Sequence, residues 1–528
     1  MDRIQFQHVI PWMAGVLIAV GGAAYAEGPA LPEEPPGPHF ELTAETHETL
    51  ESFRRGDPLL VTTYFYWYSV TTGEHITHAD GSDALTTHPA EMDGLCYMDP
   101  DWHYGELRDM MDAGLDVALP VYWGVPGEYD EWSFTGLPPL VEAHDRILEE
   151  GKTPPQIGLF YDTSILRHNA FHEDGSSLHV DMSTAYGQEW FYTAMRDFFS
   201  LIPPDKWARV DGKPLVVLYG ANWAADQAEE QFAHVRERFK EDFGTDFFLV
   251  GMRDWIGDLD AAYQWGGALG LELDPEVAAL GPGYDHSAVP GREPLVMERE
   301  DGRFYVDQWS KLLALHPDRR PWMVHVETWN EWHEGTDIAD SREFGRQYIV
   351  LTDLFARLWR EGVRLPLDGP YADREAVEWT PAEADGLALR ESEGDGVWGI
   401  EDIEGAEAAV SQPSPAADGR YLYFVVDESF AYDLDGVTTE AEVTYRDAGA
   451  EAIGIQYDNL DPDVGAVSGA FRDSGTTALT GSGDWRTATF ELPESRFIGR
   501  ANSADFRIYP EGGEQELAVK RVRVRYAE

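Results

Sequence analysis

The chain has 528 residues, 43% hydrophobic and 12% aromatic, which is enough to bury a sizeable core and too long for one average domain. Its 97 acidic against 39 basic residues give a formal charge of −58, spread along the chain rather than gathered in a tail. That field excludes a nucleic-acid partner, since phosphates would meet repulsion everywhere, and a single cysteine excludes an internal disulfide or a thiolate zinc site.

Self-repulsion at this charge density loosens a compact state unless salt screens it, so a saline habitat and a halophilic, acidic protein are expected, a merely acidic secreted protein being the alternative. Residues 1–26 read as a signal peptide. An apolar run from Val9 to Val20, broken only at Pro11-Trp12, precedes the small-x-small pattern Ala24-Tyr25-Ala26. The run falls short of the ~20 residues that span a bilayer. No cysteine lies near the cleavage point, so no lipid anchor is expected. The expectation is a secreted or periplasmic protein with no stable membrane association after cleavage. Residues 27–45, with "EGPALPEEPPGPHF", read as a Pro-rich linker.

Residues 46–368 alternate short apolar runs with amphipathic segments. The strand-like runs are "LLVTTYFYWY", "LDVALPVYWG", "QIGLFYDTS", "KPLVVLYGAN", "FFLVGM", "AAYQWGGALG", "EVAALGPGYD" and "PWMVHVETWNEW". Between them "WHYGELRDMMDAG", "LVEAHDRILEEG", "GQEWFYTAMRDFFSLI", "AEEQFAHVRERFKEDFG" and "YVDQWSKLLALHP" have helical spacing, the first ending at Gly114. This predicts an α/β fold, a (β/α)8 TIM barrel. A doubly wound open sheet would bring a Gly-rich turn after its first strand, and "YWYSVTTGEH" is not one. Residues 369–528 lose helical periodicity and alternate instead, which predicts an all-β sandwich resembling a carbohydrate-binding module.

The last barrel strand runs into "HVETWNEWHEGTDI". If it stays extended, His325, Glu327, Trp329 and Glu331 share its inner face near the C-terminal end, where barrel enzymes place their chemistry. Glu331 and Glu334 then meet only if the chain breaks into a turn, which Gly335 permits. Two carboxyls about 5–5.5 Å apart suit retaining glycoside cleavage. Crowded beside Trp329 and Trp332, one of them gains a raised pKa and acts as acid while the other stays a base. A Glu-x-x-Glu pair on a solvated helix face is the bland alternative.

"TWNEWHEGTDI" resembles the signature of glycoside hydrolase family 99, the endo-α-mannosidase and endo-α-mannanase group, which is also related to family 71. "YFYWY", "LPVYWG" and "LGPGYD" followed by "PGR" are similar to further segments of it. The resemblance covers roughly Leu59 to Arg364. It implies a (β/α)8 barrel and a retaining glycosidase, with Glu331 as general base and Glu334 as general acid/base. In that family the base deprotonates the sugar's own 2-hydroxyl, which attacks the anomeric carbon to give a 1,2-anhydro sugar. Water then opens it, and no enzyme nucleophile is required.

Aromatic and polar residues at or past strand ends are the expected carbohydrate contacts: Tyr66 and Trp123 first, then Trp67, Tyr161, Asp162 and Tyr219. Trp329, Asn330, Trp332 and His333 of the motif join them. Tyr122 and Asn222 share the same placement. Arg253, Asp254 and Arg292 follow the fifth and seventh strands, where an arginine can receive a sulfate or uronate. No metal and no cofactor are expected: His325 and Glu327 offer two inward ligands without a third, and HExxH is absent. Asp458, Asp461 and Asp463 sit on a loop that either binds calcium or is simply solvated. In the sandwich, Tyr457, Trp485 or Phe471 would touch glycan if it binds any. The competing hypothesis is a non-catalytic carbohydrate-binding or surface protein on a barrel scaffold.

Overall fold

The computed structural model describes residues 28–170, 176–392, 394–413, 420–461, 463–465, 469–512 and 516–527. The expected signal peptide lies outside them. Among the described residues no helix is long and apolar enough to cross a membrane. The chain divides into two compact units: one runs to Leu312 and includes Arg319–Val363, and the other comprises Leu313–Asp318 with Arg364–Glu528. The Leu313–Asp318 segment joins the second unit through two hydrogen bonds, Leu365 N–H to Leu313 O at 3.1 Å and His316 N–H to the Asp433 side-chain Oδ2 at 2.6 Å.

The first unit is a mixed α/β body around a nearly closed, parallel-rich sheet that resembles a barrel. In chain order its strands are β1 Leu59–Tyr64, β2 Val117–Tyr122, β3 Leu159–Tyr161, β4 Lys213–Leu218, β5 Phe248–Met252, β6 Ala261–Tyr263, β7 Val277–Leu280 and β8 Met323–Val326. They pair in parallel along the path β6-β5-β4-β3-β2-β1-β8-β7, and Glu272–Leu273 adds an antiparallel edge to β7. Both β1 and β2 are buried at every position, as strands covered on both faces must be. Each apolar run of the sequence holds one of these strands, but several strands are shorter than their runs. β1 stops at Tyr64 because the Asn330 side chain, not a neighbouring strand, takes both backbone groups of Phe65.

Helices α1 Pro100–Asp112, α2 Leu137–Glu149, α3 Ala185–Leu201, α4 Gln231–Phe243, α5 Arg303–Ala314 and α6 Gln347–Arg360 flank the sheet. Asp99 caps α1 by accepting from Asp101 N–H, Pro100 begins it, and Gly114 at φ +73° turns the chain out. α6 was not expected from the sequence, although Tyr348, Ile349, Thr352, Phe355, Ala356 and Trp359 form its buried face while Val350 and Leu354 stand exposed. The Pro-rich stretch is not a free linker. It lies along α3, with Tyr186 donating to Pro29 O and Arg196 to Pro32 O and Glu33 O.

The second unit is two antiparallel sheets over one apolar core. One sheet centres on Ala518–Tyr526, which pairs with Ala376–Thr380, Ala406–Gln412 and Thr439–Arg446. The other runs Leu387–Arg390, Leu422–Val426, Phe506–Glu511, Ala452–Tyr457, Arg472–Ala478. Their inner faces interleave, Trp379 of one meeting Phe424 of the other edge-on. Tyr457 belongs to this core at 0% exposure, so it is no glycan platform. Trp485 is covered by Lys520 at 4.6 Å, and Phe471 by Arg507 at 4.5 Å. Asp458 is buried against Arg500 at 2.7 Å rather than open to a cation.

Candidate active site

The motif leaves the sheet as soon as β8 ends. The Glu327–Thr328 peptide is cis, and the chain then folds into a tight loop instead of continuing as a strand. Thr328 and Thr336 close it: Thr328 N–H donates to Thr336 O at 2.9 Å, and Glu331 N–H to Thr328 Oγ1 at 2.8 Å. Gly335, at φ +54°, makes the return. Arg299 fixes the far side by donating to Gly335 O at 2.9 Å and Asp337 Oδ1 at 2.8 Å.

This loop overturns the expected alternation. His325 and Glu327 face the barrel interior, but Trp329 does not share their side. Its ring is fully buried, and its Nε1–H reaches Glu106 of α1 at 2.5 Å, in the layer between sheet and helix. Asn330 is spent on Phe65, accepting from its N–H at 2.8 Å and donating to its C=O at 2.9 Å. Trp332 is fully buried against Tyr68, their centroids 4.8 Å apart. These three are corrections: each braces the loop, and none offers a free edge to a sugar. Tyr66 and Tyr161 are also corrected. Both have 0% exposure; Tyr66 donates to Ser133 O, and Tyr161 packs on Phe191 of α3. Tyr122 lies in the same layer against Phe198. Strand alternation explains this, since Phe160, not Tyr161, points inward to His325 and Trp265.

Seven of the expected residues do converge: Glu331, His333, Glu334, Asp162, Tyr219, Trp67 and Trp123. Glu331 Oε1 accepts from His333 twice, from the backbone N–H at 3.1 Å and from Nδ1 at 2.7 Å. His333 Nε2 donates to His75 O at 2.9 Å. Both ring nitrogens therefore face acceptors, and the Glu331–His333 pair shares one proton. Burial pushes the Glu331 carboxyl up, the His333 charge and hydrogen bonds oppose this, and the nearby Glu334 charge adds to it. Burial works against the His333 cation, but Glu331 outweighs it and the pKa ends above the ordinary value. Glu331 Oε2 is buried with no hydrogen-bond partner.

Glu334, close enough for its charge to act on Glu331, has its Oε1 bound by Arg292 Nη1. Asp162 caps a short turn by accepting from Ser164 N–H at 3.1 Å. Burial raises its pKa against the hydrogen bonds of Ser164, and its carboxyl faces Trp123 and feels Glu334. Tyr219 stands within reach of the charges of Asp162, Glu334 and Glu327. The aromatic wall is built on Trp67, which stacks on His75 at 4.4 Å and meets Trp123 and His333 edge-on at 5.8 and 5.7 Å.

A family model described as "Domain of unknown function (DUF5010)" matches residues 51–368. The chain belongs to this family. Every residue of the site falls inside the DUF5010 match, and the two-sheet unit falls almost wholly beyond it. No curated protein matches the chain. Among solved structures, the GH99 endo-alpha-mannosidase from Bacteroides thetaiotaomicron is similar at 16% identity, covering 58% of this chain and 98% of that one with a TM-score of 0.42. A "glycoside hydrolase-like protein" is similar at 13% identity, over 60% and 99%, with a TM-score of 0.39. The structure of SpGH29 is similar at 12% identity, over 93% and 100%, with a TM-score of 0.30. Likenesses at this level fix neither a reaction nor a substrate for the DUF5010 chain.

The structure adds site residues that sequence reasoning passed over or placed elsewhere. Glu327, considered only as a metal ligand, is a buried carboxyl whose Oε2 accepts from Gly266 N–H at 2.9 Å and Gly267 N–H at 2.7 Å. Burial raises its pKa to about 8 against those hydrogen bonds, and its Oε1 is unpartnered. His325 is held neutral, burial lowering its pKa to about 3, and it bonds Thr63 Oγ1 at 2.7 Å. Trp265 lies against Tyr219 and His325, at 5.5 and 5.7 Å. Only the alternation at "AAYQW" pointed to Trp265; nothing local marked His75. Arg253 is tied to Asp274 at 2.7 Å, and Asp254 to the backbone of Ala221 and Asn222, so both are structural.

Proposed function

We propose that this site cleaves glycosidic bonds in poly- or oligosaccharides, with Glu331 as general base and Glu334 as general acid/base, in a secreted retaining glycosidase that acts within chains. The observation that carries the reading is the division of labour on Glu331. Oε1 is fixed by two hydrogen bonds from His333, so Oε2, buried and unpartnered, is the oxygen left to accept from a substrate hydroxyl. A buried acceptor without a donor costs about 1–3 kcal/mol, which a sugar hydroxyl donated to Oε2 recovers. Burial strengthens the base, and the His333 cation keeps it ionised.

In this reading Oε2 takes the proton of the sugar's 2-hydroxyl as O2 attacks the anomeric carbon, and Glu334 protonates the departing oxygen. Water then opens the 1,2-anhydro ring, with Glu334 as base and Glu331 returning the proton to O2. Trp67, Trp123, Asp162 and Tyr219 supply ring faces and hydrogen-bonding tips for the sugar. Neither step calls for a metal or cofactor.

The test is a panel of α- and β-linked oligosaccharides, α-mannans included, followed by proton NMR to read the product anomer. Glu334→Gln and Glu331→Gln should each abolish turnover and leave binding intact. Wild-type-like rates from Glu334→Gln would overturn the assignment. Wild-type binding without hydrolysis of any glycan would favour the non-catalytic alternative.

A further inference from the structure

Arg292 sits on the loop between Tyr284–Asp285 and Val296–Met297. It grips the site through one nitrogen: Nη1 donates to Glu334 Oε1 and to Tyr284 Oη, the latter at 3.2 Å. Nε and Nη2 meet no acceptor among the described residues, and the side chain is 46% exposed. On the helices Arg108 and Arg146 likewise bind through Nη1 alone, but other arginines near the site are used differently. Arg253 binds Asp274 through both Nε and Nη2, and Arg299 engages Asp337 and Gly335 through both terminal nitrogens while 8% exposed. Of these three, Arg292 alone turns half of its fork outward, at a site whose other side chains include Asp162, Glu327 and Glu331.

The ion pair also conflicts with the role proposed for Glu334. Nη1 donating to Oε1 is the arrangement of a cation on a carboxylate, whereas protonating a leaving oxygen starts from a carboxylic acid. Something has to draw Arg292 away before the bond breaks. A neutral sugar has nothing to offer a guanidinium that rivals a carboxylate. An anionic substituent does, because sulfate and carboxylate both accept bidentate hydrogen bonds from the planar fork.

Resting on the glycosidase reading above, we propose that Arg292 is a specificity residue selecting glycans with an anionic group, a sulfate ester or a uronate carboxylate, on the leaving side of the scissile bond. Arg292 passes from Glu334 to that anion, and Glu334, released, binds one proton from the bulk solvent, consumed as the substrate docks, and delivers it to the glycosidic oxygen. The charge balance holds: one carboxylate leaves the guanidinium as another anion replaces it. The chain's −58 charge repels such a substrate at long range. In salt, where screening acts within about 8–10 Å, that repulsion fades while the contact at hydrogen-bond distance persists.

The experiment uses oligosaccharide pools from a sulfated polysaccharide and from a polyuronate, each intact and after desulfation or carboxyl reduction. Wild type, Arg292→Gln and Arg292→Lys are compared. Wild type should favour one intact pool over its neutralised form at least tenfold in kcat/KM, and which pool does so names the anion. Arg292→Gln should lose that preference, its ratio of kcat/KM on charged against neutral pools falling toward one whatever the absolute rates, with Arg292→Lys between. A parallel loss on charged and neutral pools, or a wild-type preference for neutral pools, overturns the proposal. Tryptophan-fluorescence titration of Glu331→Gln with the same pools separates the two readings. Equal binding of charged and neutral pools sinks the Arg292 assignment even if glycans are cleaved. Arg292-dependent charge selectivity in binding, without turnover by wild type, upholds it while the catalytic reading falls.

Discussion

Asn330 provides the sharpest contrast between a substrate contact and a structural brace. Its amide fills the ladder position that β1 leaves at Phe65, accepting from the N–H at 2.8 Å and donating to the C=O at 2.9 Å, all of it buried. Asn330→Ala strands both backbone groups where water cannot reach. Each orphan costs about 1–3 kcal/mol, so the loss is about 2–6 kcal/mol. With an unfolding entropy of about 2.1 cal/mol/K per residue over roughly 300 residues, that is a fall in Tm of about 3–9 °C. Asn330→Asp keeps the acceptor for Phe65 N–H but sets an oxygen against Phe65 C=O. It should be at least as unstable at pH 7 and recover as pH falls, because a protonated carboxyl donates again. Scanning calorimetry of the three proteins reads both effects. If Asn330→Ala melts like wild type while glycan affinity drops, Asn330 is a sugar ligand and the brace argument is wrong.

Glu327 supplies a pH signature. Its folded pKa is raised to about 8 from 4.5, so the native state binds the proton more tightly. Its contribution is therefore lost as pH climbs from 4.5 to 8, at about 1.4 kcal/mol per pH unit at most. Glu327→Gln mimics the protonated form and should flatten that slope in denaturant titrations; an unchanged slope refutes it. His333→Gln removes a charged donor worth about 1.5–3 kcal/mol from Glu331, so the acid limb of the pH–rate profile should move up by about 1–2 units. A uniform fall in rate with the limb unmoved would leave His333 no electrostatic part. The charge of −58 predicts that Tm rises with sodium chloride and levels off near 1 M, where screening acts over about 3 Å. Melting that ignores salt would dismiss the halophilic reading.

The strand order of the first unit was legible because each parallel strand is an apolar run bounded by polar turns. The convergence of Glu331, His333, Glu334, Asp162, Tyr219 and the Trp67–Trp123 wall followed from placing strand ends at one rim. What failed was side-chain direction beyond β8. A period of two predicts Trp329 on the face of Glu327, but a strand's alternation holds only while its ladder does, and the ladder ends at Val326. The same limit hid the helix-facing direction of Tyr66 and Tyr161: an aromatic residue at a strand end suits either layer, and only the register decides. Arg292 was visible as a cation near the site, but its attachment to Glu334 depends on a loop about 40 residues upstream, which no local pattern encodes.

The charges at the mouth form a pattern that neither acid alone explains. Four carboxyls, Asp162, Glu327, Glu331 and Glu334, crowd one site in a chain already at −58. Burial keeps Glu327 protonated at neutral pH, and each proposed catalytic carboxylate has its own cation, His333 for Glu331 and Arg292 for Glu334. The two cations differ in how they are held. His333 is covered and uses both ring nitrogens, so Glu331 keeps its partner through a catalytic cycle, as a base must. Arg292 is half exposed and attached through one nitrogen, so its pairing can be exchanged, as an acid that must acquire a proton requires. The asymmetry in burial supports the proposed roles without appeal to motif resemblance, and exchanging the two, with a fixed partner on Glu334 and a mobile one on Glu331, would leave neither proton transfer with a group in the right form.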